Sequence, residues 1–251
     1  PILNDWDVTR VDNMSQVFKD TTINQAIYSW DVSHVTNMSQ MFMNSGFNED
    51  ISGWIVSKVG NMEAMFLNSQ FDKYIGDWNT SQLTTMEVMF KECSFNQDIN
   101  NWNVSIVTNM FSTFYNNKLF NKDISGWNVE NVRTMEKMFL GAISFNQDIS
   151  QWNVKNVNNM KYMFKDATSF NQPLGKWDLC SNDVSVNEMF LGATEMSNNY
   201  YHTTPLVINQ RLQFYPGSNQ IIRSGVQDPS GYGPILNDWD VTRVDNMSQV
   251  F

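Results

Sequence analysis

The chain has 251 residues, of which 41% are hydrophobic, 14% aromatic and 17% charged, and its formal net charge is −10. A disordered chain carries more charge and fewer aromatic residues, so this composition excludes a wholly disordered protein. The acidic balance argues against nucleic-acid binding, and no stretch approaches the ~18 consecutive apolar residues that indicate a transmembrane helix.

The tryptophans recur at a fixed spacing, which divides residues 1–199 into eight repeats. They are Trp6, Trp30, Trp54, Trp78 and Trp102, spaced by 24 residues, then Trp127, Trp152 and Trp177, spaced by 25. A period in the twenties is typical of solenoids, in which each repeat buries the apolar side of its neighbours.

Each repeat shows two kinds of apolar spacing. In repeat six, Trp127 and Val129 alternate with polar residues, a pattern that predicts a half-buried strand. Met135, Met138 and Phe139 then follow at the spacing of one helical face. The predicted fold is therefore an α/β repeat solenoid with one short parallel strand and one short helix in each coil.

Stacked repeats would align identical residues into columns. We expect core packing for the methionines, in preference to a soft-metal surface, and likewise for the helical phenylalanines. The methionine column is Met14, Met38, Met62, Met86, Met110, Met135 and Met160. A further column follows the loop aromatic residue: Asn24, Asn48, Asp72, Asn96, Asn121, Asn146 and Asn171. We expect these side chains to satisfy backbone groups of successive repeats.

The string Phe145-Asn-Gln-Asp-Ile-Ser-Gln-Trp-Asn-Val, followed by Met160 and by Met163-Phe164, resembles the BspA-like leucine-rich-repeat surface proteins. The resemblance covers residues 1–199 and 234–251. It implies a leucine-rich-repeat-like, right-handed coil stack and an extracellular, cell-surface or virion-surface location. Members occur in bacterial and protist surface proteins and in giant viruses, and some act as adhesins. The family pattern contains no catalytic residues.

Residues 200–233 break the period, and residues 234–251 resume it. Leu206–Phe214 and Gln220–Arg223 flank a Pro-Gly turn and predict a β-hairpin that caps the eighth repeat before a turn-rich linker. Residues 234–251 then repeat residues 1–18 without a change, at an offset of 233 positions. We interpret this copy as the start of a second, longer repeat unit; the alternative is an overlap introduced by cloning.

The residue between the inward Trp and Val of each repeat is expected to face solvent. The resulting column is Asp7, Asp31, Ile55, Asn79, Asn103, Asn128, Asn153 and Asp178, beside a hydroxyl row of Thr9, Ser33, Ser57, Ser81 and Ser105. Such a lattice could bind a glycan, a protein or calcium, or it could be a solvated face that stabilises itself. Asn13, Asn37, Asn79 and Asn103 also begin Asn-x-Ser/Thr sequons, which are candidate glycosylation sites in a secreted chain.

Nothing in the sequence brings together an acid, a base and a nucleophile. His34 and His202 have no partner at a catalytic or metal-binding spacing, and Cys93 and Cys180 lie about four repeats apart, too far for a disulfide. We therefore expect a non-enzymatic structural repeat protein without a cofactor, a fibre or stalk whose main partner is itself. The alternative is a soluble recognition module that binds a protein or a glycan on its strand face.

Overall fold

The computed structural model describes residues 2–174, 176–177 and 184–198, together with the strands 206–208 and 211–213. Its regular elements are a 3₁₀ turn, Leu3–Asp5, a short helix α1, Thr194–Asn198, and strands β1, Leu206–Ile208, and β2, Arg211–Gln213. Over these residues the repeats contain no other helix and no strand. Each repeat is numbered here by its tryptophan, from repeat one (Trp6) to repeat eight (Trp177).

Successive repeats lie side by side and are joined by one parallel bridge each. The bridge falls on the residue just before the methionine column, for example between Asn13 and Asn37. The Asn13–Asn37 bridge consists of Thr36 N–H donating to Asp12 C=O at 2.8 Å and Met14 N–H donating to Asn37 C=O at 2.8 Å. The full row of bridged residues is Asn13, Asn37, Asn61, Thr85, Asn109, Thr134, Asn159 and Ser185.

The strand predicted over Trp-x-Val is not formed in the described repeats. In repeat two, Trp30 N–H donates to Ile27 C=O at 3.2 Å, and Val35 N–H donates to Val32 C=O at 2.9 Å. These two tight turns leave only Asp31 between Trp30 and Val32. A ladder needs several consecutive free backbone groups, so none can extend here.

The helix predicted over the Met-x-x-Met-Phe segment is also absent. In repeat two, Gln40 and Asn44 have φ of 57° and 54°, whereas an α-helix requires negative φ throughout. Met41 N–H donates back to Met38 C=O, which places Gln40 third in a four-residue turn where positive φ is typical of type II. Alternate N–H groups, such as that of Phe42, donate to the next repeat instead of along a helix.

The core consists of like residues stacked on like residues. Trp30 and Trp54 lie with ring centroids 6.5 Å apart and planes 2° apart, and Phe114 and Phe139 lie 5.6 Å apart at 2°. The columns also contact each other, since Phe139 stacks on the loop residue Phe145 at 3.9 Å. Every residue of the methionine column is buried, which confirms the predicted packing role of the methionines.

The predicted hairpin is only partly described, and its pairing differs from the prediction. β1 pairs antiparallel with β2, with Val207 opposite Leu212, so both strands lie within the single predicted strand Leu206–Phe214. Only two residues separate them, the commonest length for a hairpin connection. The predicted Pro-Gly turn and the strand Gln220–Arg223 lie outside the described residues.

Candidate binding face

In each described repeat, the residue between the inward Trp and Val is exposed, as the sequence predicts. We call this column the outward face. It consists of Asp7, Asp31, Ile55, Asn79, Asn103, Asn128 and Asn153. Ile55 is the apolar member and is 61% exposed. Asp178 lies outside the described residues.

The polar members of the outward face each accept a hydrogen bond from the residue two positions later. Asp31 Oδ1 accepts Ser33 N–H at 3.0 Å, and Asn128 Oδ1 accepts Glu130 N–H at 3.1 Å. These bonds close Asx turns, which fix the side chains against their own backbone. The second carboxylate oxygen or the amide NH₂ group is the part of each side chain left for a partner.

The aspartates of this face carry lowered pKa values. The hydroxyl and the N–H of Thr9 both donate to Asp7 and lower the pKa of its carboxyl group. Hydrogen bonds from Ser33 lower the pKa of Asp31, and the nearby charges of His34 and Lys58 add to the effect. Both carboxylates are therefore negatively charged at neutral pH, so the first two repeats present fixed negative charge.

The titratable residues singled out from the sequence do not form a reactive cluster within the described part of the chain. His34 is exposed, and its Nδ1 lies 3.3 Å from Ser33 Oγ. Cys93 is buried beside Ser69, and burial raises the pKa of its thiol to about 11. No group of three or more His, Cys, Asp or Glu residues suited to a metal ion occurs among the described residues. His202 and Cys180 lie outside them.

The four candidate glycosylation sites use their side-chain oxygens in the same kind of turn. Asn13 Oδ1 accepts Ser15 N–H at 2.9 Å, and Asn37 Oδ1 accepts Ser39 N–H at 3.0 Å. Asn79 and Asn103 bond in the same way to Ser81 and Ser105, and both are exposed, as is Asn13, whereas Asn37 is half-buried. Glycosylation of these residues stays a prediction.

A second polar column joins the repeats at the loop, and we call it the loop amide ladder. From Asn24 to Asn146, the Oδ1 of each member accepts the backbone N–H of its counterpart in the next repeat; Asn146, for example, accepts from Asn171 at 2.9 Å. Gln172 Nε2 also donates to Asn146 Oδ1 at 2.9 Å. The members are Asn24, Asn48, Asp72, Asn96, Asn121, Asn146 and Asn171. This confirms the predicted structural role of the column.

The tryptophans carry a polar contact that the spacing alone did not reveal. Each indole N–H from repeat two onward donates to a backbone carbonyl of the preceding repeat, such as Trp102 Nε1 to Ile75 O at 3.0 Å. The same carbonyl also accepts the backbone N–H of Trp78, its neighbour in the same repeat. Both the apolar and the polar columns therefore hold successive repeats in one register.

These repeats match a family model described as "Mycoplasma protein of unknown function, DUF285", over residues 1–98 and 85–203. The chain belongs to this family. No curated protein and no solved structure matches it significantly. The DUF285 match spans all eight repeats and stops within residues 200–233, where the tryptophan period also stops. No helix in the described part of this DUF285 chain is long and apolar enough to cross a membrane.

Two columns of left-handed residues were missed in the sequence, although the composition of one of them signals it. This column lies two residues after the phenylalanine that ends each Met-x-x-Met-Phe segment. The backbone φ is positive there, for example at Asp20, Asn44, Asn68, Asn116 and Gly141. Asn, Asp and Gly adopt this conformation most readily. Their recurrence at that position argues for a turn and against a continuing helix.

Proposed function

We propose that this chain is a non-enzymatic structural repeat protein displayed outside the cell or on a virion surface, working without a cofactor. Its architecture is a right-handed solenoid similar to BspA-like leucine-rich repeats, and its units join in tandem into a fibre or stalk with an adhesive role. Its principal partner is another copy of itself.

The hydrogen bonds between repeats are the observation that supports this proposal. The side chains of Asn146 and Trp102 form hydrogen bonds to the neighbouring repeat, and each residue is one member of a continuous column. A protein built for catalysis concentrates its polar groups at one place. Here they are spread evenly along the stack, as a load-carrying or spacing element requires.

The terminal copy supports the tandem arrangement. Residues 234–251 match residues 1–18 without a change, whereas neighbouring repeats in the chain differ at most surface positions. Such identity is typical of a recent duplication of the 233-residue unit. Negative-stain electron microscopy of the native material tests this: we expect filaments or stalks with an axial repeat set by one unit. Compact particles alone would reject the fibre.

Surface display has its own test. Intact cells or virions that carry the protein are treated with protease, and the protein is followed with an antibody. We expect its loss from intact particles, while a protein known to be internal to the same particles stays intact. Protection of both proteins until the particles are lysed would reject surface display.

A recognition module is the second candidate, and the outward face supports it. This face is exposed along the stack, and Ile55 places an apolar side chain in the middle of a polar column. Glycan and protein arrays probed with the unmodified chain and with an Ile55→Ser, Asn103→Ala double variant test it. Binding that the variant loses would favour a module, and the inward-facing variant Val104→Ala provides the control for general destabilisation.

A further inference from the structure

Two exposed tyrosines lie at the tight turn before the tryptophan, one in repeat two and one in repeat four. Tyr28 is 64% exposed and Tyr74 is 41% exposed. The turn is closed by the tryptophan N–H, which in repeat two runs from Trp30 to Ile27 C=O at 3.2 Å. Both tyrosines have a described repeat on either side, so their exposure does not come from an end of the stack.

The ring of Tyr74 is fixed against the surface of its own repeat. Its hydroxyl donates to Asp77 Oδ1 at 2.9 Å. A Cβ added to Gly76 would lie 2.7 Å from Cε2 of the ring, so the ring covers the glycine, and Gly76 is buried. One side of the ring therefore packs on the chain and the rest faces solvent. A side chain held in this way loses little conformational freedom when a ligand stacks on it.

The repeat between the two tyrosines has small side chains at this turn. Ser52 and Gly53 occupy it in repeat three, and a Cβ added to exposed Gly53 would meet no atom within 4 Å. Repeats joined by backbone bridges lie ~4.8 Å apart, so the two rings are separated by about 10 Å along the stack. We call Tyr28, Ser52, Gly53 and Tyr74 the tyrosine surface. It presents two aromatic platforms with open space between them.

Exposed carboxylates flank the ring of Tyr74. Asp50 and Asp98 stand at the position of Tyr74 in repeats three and five, and both are exposed. The Oδ1 atoms of Asp50 and Asp98 accept the N–H groups of Ser52 and Asn100, both at 2.9 Å. The N–H and the hydroxyl of Ser52 lower the pKa of Asp50, so this carboxylate is charged at neutral pH. The second oxygen of each carboxylate can accept a hydrogen bond from a ligand hydroxyl.

Aromatic rings beside hydroxyl acceptors fit a sugar, which has an apolar C–H face and a rim of hydroxyl groups. The carboxylates of Asp50, Asp77 and Asp98 outnumber the nearby Lys73, so the surface disfavours an anionic chain. In a ribbon-shaped oligosaccharide of the cellulose type, every second sugar turns the same face the same way. The repeat length of such a ribbon is close to the separation of the two rings.

We propose that the tyrosine surface binds a neutral, ribbon-shaped oligosaccharide laid along the stack. Tyr28 and Tyr74 stack on two sugars of the same orientation. The sugar between them lies over Ser52 and Gly53, and the flanking carboxylates accept hydrogen bonds from sugar hydroxyls. This site is separate from the outward face, and it adds ligand binding to a structural repeat protein without depending on fibre formation.

Saturation-transfer NMR titration of the 251-residue chain with soluble hexasaccharides tests the site. Cellohexaose, xylohexaose, mannohexaose and chitohexaose are the ribbon-shaped probes. Maltohexaose, a chain of the same length that coils into a helix, is the control ligand. We expect at least one ribbon-shaped probe to bind and maltohexaose not to bind. Because the ligand is neutral, its affinity should change little with ionic strength.

Variants of the tyrosine surface locate the contact. Tyr28→Ala and Tyr74→Ala each remove one platform and should weaken binding of that probe by about tenfold or more, the scale of losing an aromatic hot spot. Tyr74→Phe keeps the ring and should bind nearly as well as the unmodified chain. Gly53→Gln fills the open space between the rings and should also weaken binding; Gly53 is not in the left-handed conformation, so the change does not strain the backbone.

Ile143→Ser is the matched control, because Ile143 is 41% exposed, as Tyr74 is, but lies in repeat six. It should bind the probe like the unmodified chain. Circular dichroism checks that every variant is folded.

Failure of all four ribbon-shaped probes to bind would overturn the proposal, as would equal binding of maltohexaose. Undiminished binding by folded Tyr28→Ala and Tyr74→Ala chains would also overturn it. So would a loss confined to the Ile55→Ser, Asn103→Ala variant, because the sugar would then lie on the outward face. The proposed structural role fails separately: compact particles in electron microscopy would reject the fibre and leave oligosaccharide binding unchanged.

Discussion

Repeat one and repeat five carry the same tryptophan in the same register, but the two side chains differ greatly in exposure. Trp102 is 3% exposed, whereas Trp6 is 50% exposed. Trp102 stacks on Trp78 at 6.3 Å and donates its indole N–H to Ile75 C=O at 3.0 Å. For Trp6, no described residue accepts such a bond.

The difference shows that the tryptophan needs a neighbouring repeat on each side to be buried, whereas Met14 and Phe18 of repeat one are buried without a described repeat on their outer side. The sequence of repeat one is as apolar at the column positions as that of repeat five, so the extra burial of Trp102 comes from its neighbours. Stability in such a stack is close to a sum of terms for the single repeats and terms for the contacts between neighbours. Removing one column residue from the middle therefore weakens two contacts, whereas removing one from the end weakens a single contact.

The largest expected effect is that of Trp102→Ala in the middle of the stack. We expect a loss of about 3–5 kcal/mol in the free energy of unfolding, the usual cost of truncating a buried tryptophan. Trp6→Ala is the matched control, and with half its surface already exposed it should cost about 1–2 kcal/mol. Chemical denaturation of both variants measures the pair. Equal losses would mean that neighbours do not supply the burial.

Gly141→Ala is expected to have the next largest effect. Gly141 has φ of 68°, and an added Cβ would collide with Oδ1 of Asn116 in the preceding repeat. We expect a loss of about 1–3 kcal/mol, the usual cost of a strained backbone site.

Adding Asn116→Gly should recover part of that loss, because it removes the colliding atom and leaves only the backbone strain at position 141. Asn116→Gly alone provides the control and should change stability little, because glycine adopts the positive φ of 51° at this position without steric cost. If the double variant is no more stable than Gly141→Ala, the cost comes from the backbone conformation and not from the contact between repeats.

A smaller loss is expected from Asn146→Ala in the loop amide ladder. Its Oδ1 accepts both Asn171 N–H and Gln172 Nε2 at 2.9 Å. Asn171 is only half-buried, so water can partly replace the acceptor that its N–H loses. We expect about 1 kcal/mol, the usual net value of a hydrogen bond.

Asn146→Asp keeps the acceptor oxygens and is the control, since Asp72 already fills the equivalent place in repeat three and accepts Asn96 N–H at 2.8 Å. A loss for Asn146→Asp as large as that for Asn146→Ala would show that the oxygen acceptor is not what matters.

The sequence predicted the columns well because their physical cause is present in every repeat. Recurring Trp, Met and Phe at one spacing identify the buried residues, and recurring Asn after the loop aromatic residue identifies the loop amide ladder. The backbone conformation was predicted wrongly. Met135, Met138 and Phe139 have helical spacing, but a run of five residues is also compatible with successive turns whose N–H groups bond to the next repeat. Apolar periodicity reports which side chains face inward, not which backbone groups are paired.

The outward face was predicted as exposed, and this part of the prediction is confirmed, but its chemistry was less predictable. In the sequence, residues such as Asp31 could be ligands for a partner or part of a face that stabilises itself, and in the structure each polar member closes an Asx turn with the residue two positions later. Each of these turns is closed by a backbone N–H, which every sequence provides, so residue types alone could not distinguish the two cases.

The smallest stability effects should come from this face, and they test its role. Asn128→Ala removes one exposed acceptor for Glu130 N–H and should change the free energy of unfolding by about 0.5 kcal/mol or less, as is usual for a surface substitution. Asp31→Ala should likewise leave the melting temperature close to that of the unmodified chain.

If a partner binds here, both variants should weaken its binding while circular dichroism stays unchanged, because the turns they open lie on exposed backbone that water can solvate. Unfolding of either variant would contradict the assignment of this column to the surface. Unchanged binding in both would place any partner on another part of the stack.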